Sequence, residues 1–213
     1  MEDGRPPQTA DGDAFRFRAG HLSLDLCSTL LWRYQAPSEL LQAPADLARW
    51  LSEAGVCPAP ATVSDEALRS ARMLRESIYA LVHDRLGGRT LAQAHVATLN
   101  AVAARPDPVP CVAAGGELAW SAADPESAAL SSVARDAIEL LTGPSAARLG
   151  ECAAPDCAFL FLDTSRPGRR RWCAMNRCGN RQHVREHRRR QRLDSPTESA
   201  PEAPRERSKH HGR

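Results

Sequence analysis

Apolar residues recur at helical spacing in four segments of the chain. Side chains three and four residues apart share one face of a helix, so each segment predicts an amphipathic helix that packs against a core. Residues that start or stop helices bound the segments: Ser64, Thr90 and Asp124 stand at N-termini, and Gly55 follows the first segment. The predicted helices cover residues 47–54, 65–86, 91–103 and 125–141.

Short alternating patterns predict β-hairpins between these helices. Residues 15–26 alternate apolar and polar side chains on both sides of Ala19-Gly20, which favours a hairpin, although a helix beginning at Leu24 fits equally well. Residues 109–120 carry a second alternation around Gly115-Gly116. We therefore predict an α+β fold that is mainly α, with a helical N-terminal domain that contains small β-hairpins.

Length and composition limit the class of protein. At 213 residues, the chain suits one medium domain and one small one. We expect a mainly helical domain over residues 14–148, a small module over 150–192, and disorder in the polar segments 1–13 and 193–213. With no apolar run of eighteen residues and no apolar leader, the sequence predicts a cytoplasmic protein without a membrane partner.

Four cysteines in the small module form two matched pairs. Four residues separate Cys152 from Cys157 and Cys173 from Cys178, and fifteen residues lie between the pairs. That spacer is long enough for a hairpin that brings the pairs together, with residues 159–162 as a strand and 166–169 as its turn. Four thiolates complete a tetrahedral zinc site and leave no position for a reactive water, so we predict one structural zinc ion.

The charge of the chain is concentrated beside these cysteines. Residues 1–165 carry a net charge of −8, whereas residues 166–192 hold eleven arginines and one glutamate. Residues 193–213 are balanced, which leaves a net charge of +2 for the whole chain. A basic segment of this density indicates a polyanionic partner.

Eight arginines are the candidate nucleic-acid contacts. Four surround the predicted turn and four share one face of a helix expected over residues 179–192, so DNA is the predicted partner. An RNA, an acidic protein surface, or simple solvation of a charged face are the alternatives. The eight residues are Arg166, Arg169, Arg170, Arg171, Arg181, Arg185, Arg188 and Arg189.

The small module resembles a CGNR zinc finger. Residues 172–181 read WCAMNRCGNR, which contains the CGNR motif, and residues 152–157 and 161–166 match it as well. The N-terminal region is similar to the ABATE domain in the segments GHLSLDLCST at 20–29, DLARWLSEAG at 46–55, and 135–141. It departs from that domain's LDFxNT pattern at Leu26 and Ser28. The resemblance implies a bacterial, stress-induced transcription regulator with the four cysteines as zinc ligands.

The N-terminal domain is expected to sense a signal or to form a homodimer. Four of its side chains are candidates for an effector pocket, with hairpin and core packing as the alternative role. No phosphate-binding glycine loop, metalloprotease motif or nucleophile elbow is present, so we expect no enzymatic activity. The candidate pocket residues are His21, Asp25, Trp32 and Arg33.

Overall fold

The computed structural model describes residues 15–56 and 59–194, with side chains up to residue 191. The disorder predicted for residues 1–13, and for 195–213 of the tail, lies outside the described residues. Within them, the chain forms six α-helices, one 3₁₀ turn (Pro144–Arg148) and one π-helical turn (Met175–Gly179). The helices are α1 (Leu22–Cys27), α2 (Pro44–Glu53), α3 (Asp65–Leu86), α4 (Gln93–Ala103), α5 (Pro125–Thr142) and α6 (Asn180–Asp194).

All four helices predicted in the N-terminal region are present, and two of the three predicted caps are correct. The Ser64 side chain accepts from the N–H of Ala67 at 3.1 Å, and Asp124 caps α5 in the same way. The prediction for Thr90 is wrong, because α4 begins after Ala92. The N–H of Ala92 donates to the Asp84 carboxylate at 3.0 Å, so the acceptor comes from α3 rather than from a local cap.

Residues 15–21 form a loop that leads into α1, so the first hairpin prediction is wrong; a helix is present, as in the alternative, but it begins at Leu22 rather than Leu24 and ends at Cys27. One carboxylate oxygen of Asp25 in α1 accepts from the N–H groups of Arg18 and Ala19, both at 2.9 Å, and folds the loop back onto the helix. Gly20 joins them at a φ of +89°, which a glycine adopts without strain. Ser23 is as fully buried as Leu24, so α1 lacks the polar face that marks a helix in sequence.

Six strands form three separate antiparallel pairs in the described residues. The hairpin predicted over 109–120 is confirmed, and Cys111 lies opposite Ala119 in it. The strand predicted within 159–162 is also present, but its partner precedes the first cysteine pair, so this hairpin encloses that pair instead of filling the spacer. The pairs are β1 (Leu30–Leu31) with β2 (Ser38–Glu39), β3 (Val109–Val112) with β4 (Leu118–Ser121), and β5 (Leu149–Glu151) with β6 (Leu160–Leu162).

One continuous apolar core joins the helical region to the cysteine-rich module. Leu74 and Ile78 of α3 belong to the same cluster of buried residues as Phe161 of β6. The N–H of Leu162 also donates to the carbonyl oxygen of Ala19 at 2.7 Å. The module is therefore held against the helices at a fixed place.

No helix within 15–56 or 59–194 has both the length and the apolar character to cross a membrane.

Candidate metal centre and arginine surface

Backbone hydrogen bonds shape the two cysteine loops and bring them together. In the first loop, the N–H of Cys152 donates to the carbonyl oxygen of Phe159, and the N–H of Cys157 donates to the carbonyl oxygen of Ala154, both at 2.9 Å. The N–H of Ala153 donates to the carbonyl of Arg171 at 2.9 Å, which draws in the segment leading to the second loop. The π-helical turn then positions Cys178 directly before α6.

Gly179 ends this turn at a place where a side chain would crowd its neighbours. A Cβ atom at Gly179 would lie 3.3 Å from the Trp172 ring and closer still to the Met175 sulfur. The role of Gly179 is therefore close packing between the second loop and the start of α6.

The four cysteine sulfur atoms lie close enough together to bind one tetrahedral metal ion. They all lie within 4.8 Å of one another, and each cysteine is buried. The Sγ of Cys173 lies 3.9 Å from that of Cys157 and 3.4 Å from that of Cys178. Zinc–sulfur bonds of about 2.3 Å place tetrahedral sulfur atoms about 3.8 Å apart, so the cluster fits zinc.

The electrostatics of the cluster also favour a cation. Sharing of hydrogen bonds among the four sulfur atoms raises the pKa of the Cys157 and Cys178 thiols and lowers the pKa of Cys152 and Cys173, so the four protonation states depend on one another. Four thiolates this close together repel one another, and a zinc ion supplies the compensating charge.

Two protein families match this chain. Residues 20–144, which are more than half of it, match the ABATE family, whose description is "Putative stress-induced transcription regulator". The chain belongs to the ABATE family. Residues 148–191 match the CGNR zinc finger, and this match contains all four clustered cysteines. The ABATE protein thus carries one structural zinc ion held by a CGNR finger. No curated protein matches the chain.

Two of the predicted DNA-contacting arginines, Arg170 and Arg181, make contacts inside the ABATE protein. The Arg170 guanidinium lies 4.2 Å from the Phe161 ring centroid and donates to the carbonyl oxygens of Trp172, at 3.1 Å, and Cys173. Arg181 donates to Asp156 at 3.0 Å and to the Cys178 sulfur at 3.3 Å. These contacts stabilise the spacer and the start of α6.

Asp156 connects the first cysteine loop to α6. Its side chain is 6% exposed and faces two arginines on successive turns of the helix. The Nη2 of Arg181 lies 3.0 Å from one carboxylate oxygen, and that of Arg185 lies 3.5 Å from the other. Sequence reasoning missed this residue, although an acid directly beside a ligand cysteine and shortly before a strongly basic segment is a usable signal.

The other predicted arginines are exposed. Arg171 lies 5.2 Å from the Trp172 ring centroid. The side chains of the remaining four make no hydrogen bond or ion pair with the part of the chain that the structure describes: Arg166, Arg169, Arg188 and Arg189. Asp163 accepts from the N–H groups of Ser165 and Arg170, which fixes the turn that bears Arg166 and Arg169. The Ser165 side chain, and then these N–H groups, lower the pKa of Asp163.

The four candidate effector residues have different partners. His21 lies 2.9 Å from the Asp136 carboxylate, Asp25 accepts from backbone N–H groups, and Arg33 pairs with Glu76. Trp32 lines a cavity beside the zinc finger. The structure therefore does not place the four side chains around one common site. Their role in an effector pocket stays a prediction.

Two arginines that the sequence analysis passed over reach the zinc finger. Arg16 and Arg18 line the same cavity as Trp32, and the Arg18 guanidinium lies 5.2 Å from the Phe159 ring centroid. Burial, and then the charges of Arg177 and Arg18, lower the pKa of Arg16 to about 10. The alternation that suggested a hairpin is instead a loop that carries cations to the metal-binding module.

Proposed function

We propose that this ABATE protein is a DNA-binding transcription regulator that contacts DNA phosphates through the exposed arginines of its zinc finger. Its role is binding rather than catalysis, and the zinc ion acts by holding the finger in shape. The observation that carries the proposal is the set of exposed arginines with no partner in residues 15–56 and 59–191.

The arginines divide into positioning and contacting groups. Arg170 and Arg181 are engaged inside the protein, and Arg185 shares Asp156 with Arg181. Arg188 and Arg189 follow Arg185 by three and four residues, so they lie on the same side of α6, one turn further along. Asp156 therefore orients the helix while the next turn offers its charges to a partner.

The turn of the spacer supplies a second group of cations. Arg166 and Arg169 flank Gly168, whose φ of +60° forms the tight turn. A groove of about 490 Å³ follows this turn and is lined by residues 169–175. A phosphate backbone suits such a surface because guanidinium groups bind phosphate oxygens in bidentate fashion.

DNA is favoured over RNA by the position of the nearest aromatic side chain. Single-stranded RNA recognition uses exposed aromatic rings on which bases stack. Trp172 is half-buried and already has the Arg171 guanidinium beside its ring. An acidic protein surface remains a competing partner that only binding experiments separate from DNA.

Fluorescence anisotropy with the zinc-loaded full chain tests the proposal. The probes are a random duplex, a single strand, an RNA and a polyglutamate peptide. We expect the duplex to bind tightest, and the double substitution Arg188→Gln/Arg189→Gln to weaken duplex binding about tenfold or more. The matched control, Arg69→Gln/Arg85→Gln on α3, removes the same charge and should have little effect. Equal losses in both variants, or preference for the peptide, would overturn the proposal.

A further inference from the structure

The hairpin of β3 and β4 exposes a group of apolar side chains. Val112 and Leu118 are 79% and 70% exposed, and Val109 and Trp120 are exposed as well. Glu117 is the only charged residue in the segment 108–122, although charged residues make up 25% of the chain. Apolar surface that lacks charged residues is typical of the central part of a protein interface.

This hairpin has little support from the rest of the described chain. β3 and β4 pair with each other, and no third strand within residues 15–56 or 59–194 joins them. Residues of both strands are exposed or half-buried, so neither face of the hairpin is covered. An isolated two-stranded hairpin is only marginally stable in water, whereas three or more strands with an apolar face can be stable. A strand added at its edge would therefore stabilise it.

The turn determines which backbone groups of the hairpin point outward. The N–H of Ala113 donates to the carbonyl oxygen of Glu117 at 2.9 Å, so these two residues form a hydrogen-bonded pair. Bonded and non-bonded pairs alternate along an antiparallel ladder, so the pairs 112–118 and 110–120 are non-bonded. The residues whose backbone groups point outward are Pro110 and Val112 on β3, and Leu118 and Trp120 on β4.

The two edges of the hairpin differ in their ability to accept another strand. Pro110 has no N–H, so the outer edge of β3 lacks a donor at its centre. Proline on an edge strand prevents pairing with a further strand. The outward N–H and C=O groups of Leu118 and Trp120 make no backbone hydrogen bond with other described residues. The edge of β4 is therefore open, and the edge of β3 is closed.

We propose that a second copy of this chain pairs with the open edge of β4, antiparallel to it, about a two-fold axis at Ala119. Leu118 of each copy then lies opposite Trp120 of the other copy, and their outward N–H and C=O groups form the bonded pairs. The two hairpins become one four-stranded antiparallel sheet. The apolar side chains of Leu118 and Trp120 add a cross-strand contact on one face of this sheet.

Charge and size agree with a second copy as the occupant. In this register Glu117 lies opposite Ser121 of the other copy, so no like charges meet at the axis. The hairpin spans residues 109–121, which is fewer than the roughly 20–30 residues that each side of a standard interface contributes. The dimer is therefore weak and reversible, with a dissociation constant on the order of micromolar.

Sedimentation equilibrium of the zinc-loaded full chain, without DNA, tests the proposal. We expect the average mass to rise from monomer towards dimer as the concentration approaches about 200 μM. Leu118→Pro removes an outward N–H from the open edge and should weaken association by about tenfold or more. The matched control Val112→Pro removes an outward N–H from the closed edge, directly opposite, and should associate as the parent does. Circular dichroism identifies a variant that fails to fold, and Leu118→Lys with Val112→Lys then replaces the pair.

Disulfide cross-linking tests the position of the axis. The two Ala119 residues form a non-bonded pair across the axis, with Cα atoms about 4.5 Å apart, which lies within the range of about 4.4–6.8 Å that a disulfide spans. Ala119→Cys in a Cys111→Ser background should therefore give a covalent dimer under mild oxidation. Ala113→Cys in the same background is the matched control, because three strand spacings separate its two copies, and it should remain largely monomeric.

Three results would overturn the inference. These are a monomer at about 200 μM, equal weakening by Leu118→Pro and Val112→Pro, or equal cross-linking at positions 119 and 113. The first result would leave the open edge to a strand of another protein. The inference does not rest on the proposed function, because dimerisation is measured without DNA and the substituted residues lie outside the zinc finger.

Discussion

The Asp156 carboxylate lies 3.0 Å from the guanidinium of Arg181, and this contact joins the first cysteine loop to the helix that follows the second. Asp156 is almost fully buried, and Arg185 approaches its other oxygen. The zinc site and α6 therefore form one structural unit, in which the direction of the helix is set by a residue beside a metal ligand.

Substituting Asp156→Asn should loosen α6. The partner arginines are partly exposed, so we discount the loss to about 1–2 kcal/mol of local stability, which corresponds to roughly tenfold faster amide hydrogen exchange in the helix. Glu66→Gln, which breaks an exposed pair with Arg69, is the control and should cost less than about 1 kcal/mol. Unchanged exchange in α6 would show that Asp156 does not anchor it.

Substituting Cys173→Ser should abolish zinc binding and destabilise the whole chain. Structural zinc contributes on the order of 10–16 kcal/mol of apparent binding energy, which is comparable to the stability of a domain. Because the core is continuous across the finger, we expect the thermal midpoint of the helical region to fall as well. Zinc stoichiometry and a thermal melt measure this, and Cys111→Ser at an exposed cysteine is the control.

The ion pair of Arg75 and Glu39 should stabilise the packing of β2 on α3. The Nη1 and Nη2 atoms of Arg75 each donate to one Glu39 carboxylate oxygen at 2.7 Å, and the Arg75 side chain is only 4% exposed. Glu39→Gln leaves a buried cation that Glu76 still compensates in part, so we expect a loss of about 2 kcal/mol in urea unfolding. Exposed Glu139→Gln is the control, and equal midpoints for the two variants would contradict this assignment.

Asp25 should make stability fall as pH rises from about 4 to 6. Burial raises the pKa of Asp25 to about 6, even though the N–H groups of Ala19 and Arg18 act in the opposite direction. The folded state then holds the proton more tightly than the unfolded state. The favourable contribution is full below pH 4 and disappears above pH 6.

Substituting Asp25→Asn isolates this effect, since its remaining side-chain oxygen can still accept from Arg18 and Ala19. We expect the variant to gain about 1–2 kcal/mol relative to the parent between pH 4 and pH 7, measured by urea unfolding. Parallel stability curves for the two proteins would show that Asp25 is not the titrating group.

The sequence predicted the helices that have one long apolar face, whereas the short elements without such a pattern were left ambiguous or were missed. The long amphipathic helix α3 and its Ser64 cap follow directly from periodicity and capping chemistry. The short helix α1 does not, because Ser23 and Leu24 are both buried and no polar face remains. The partner of β6 was also missed, since the short strand β5 carries no alternation that marks it in sequence.

The metal ligands could be predicted from the sequence, but which arginines make contacts inside the protein could not. Paired cysteines at fixed spacing indicate a zinc site from local sequence alone. Whether an arginine is free depends on contacts far along the chain, such as Arg181 with Asp156, twenty-five residues before it. Arg16 is even more distant along the sequence from the finger, so its position beside the finger could be found only from the tertiary structure.

The salt dependence of duplex binding tests the central claim most directly. Besides Arg185, which pairs with Asp156, six exposed arginines of the described chain lie on the turn and on α6: Arg166, Arg169, Arg171, Arg188, Arg189 and Arg190. If each neutralises one phosphate, log K should fall with log salt at a slope of about −5 for the zinc-loaded protein, and binding should vanish when zinc is removed. A duplex affinity that is independent of salt, or one that survives complete removal of zinc, would contradict the account.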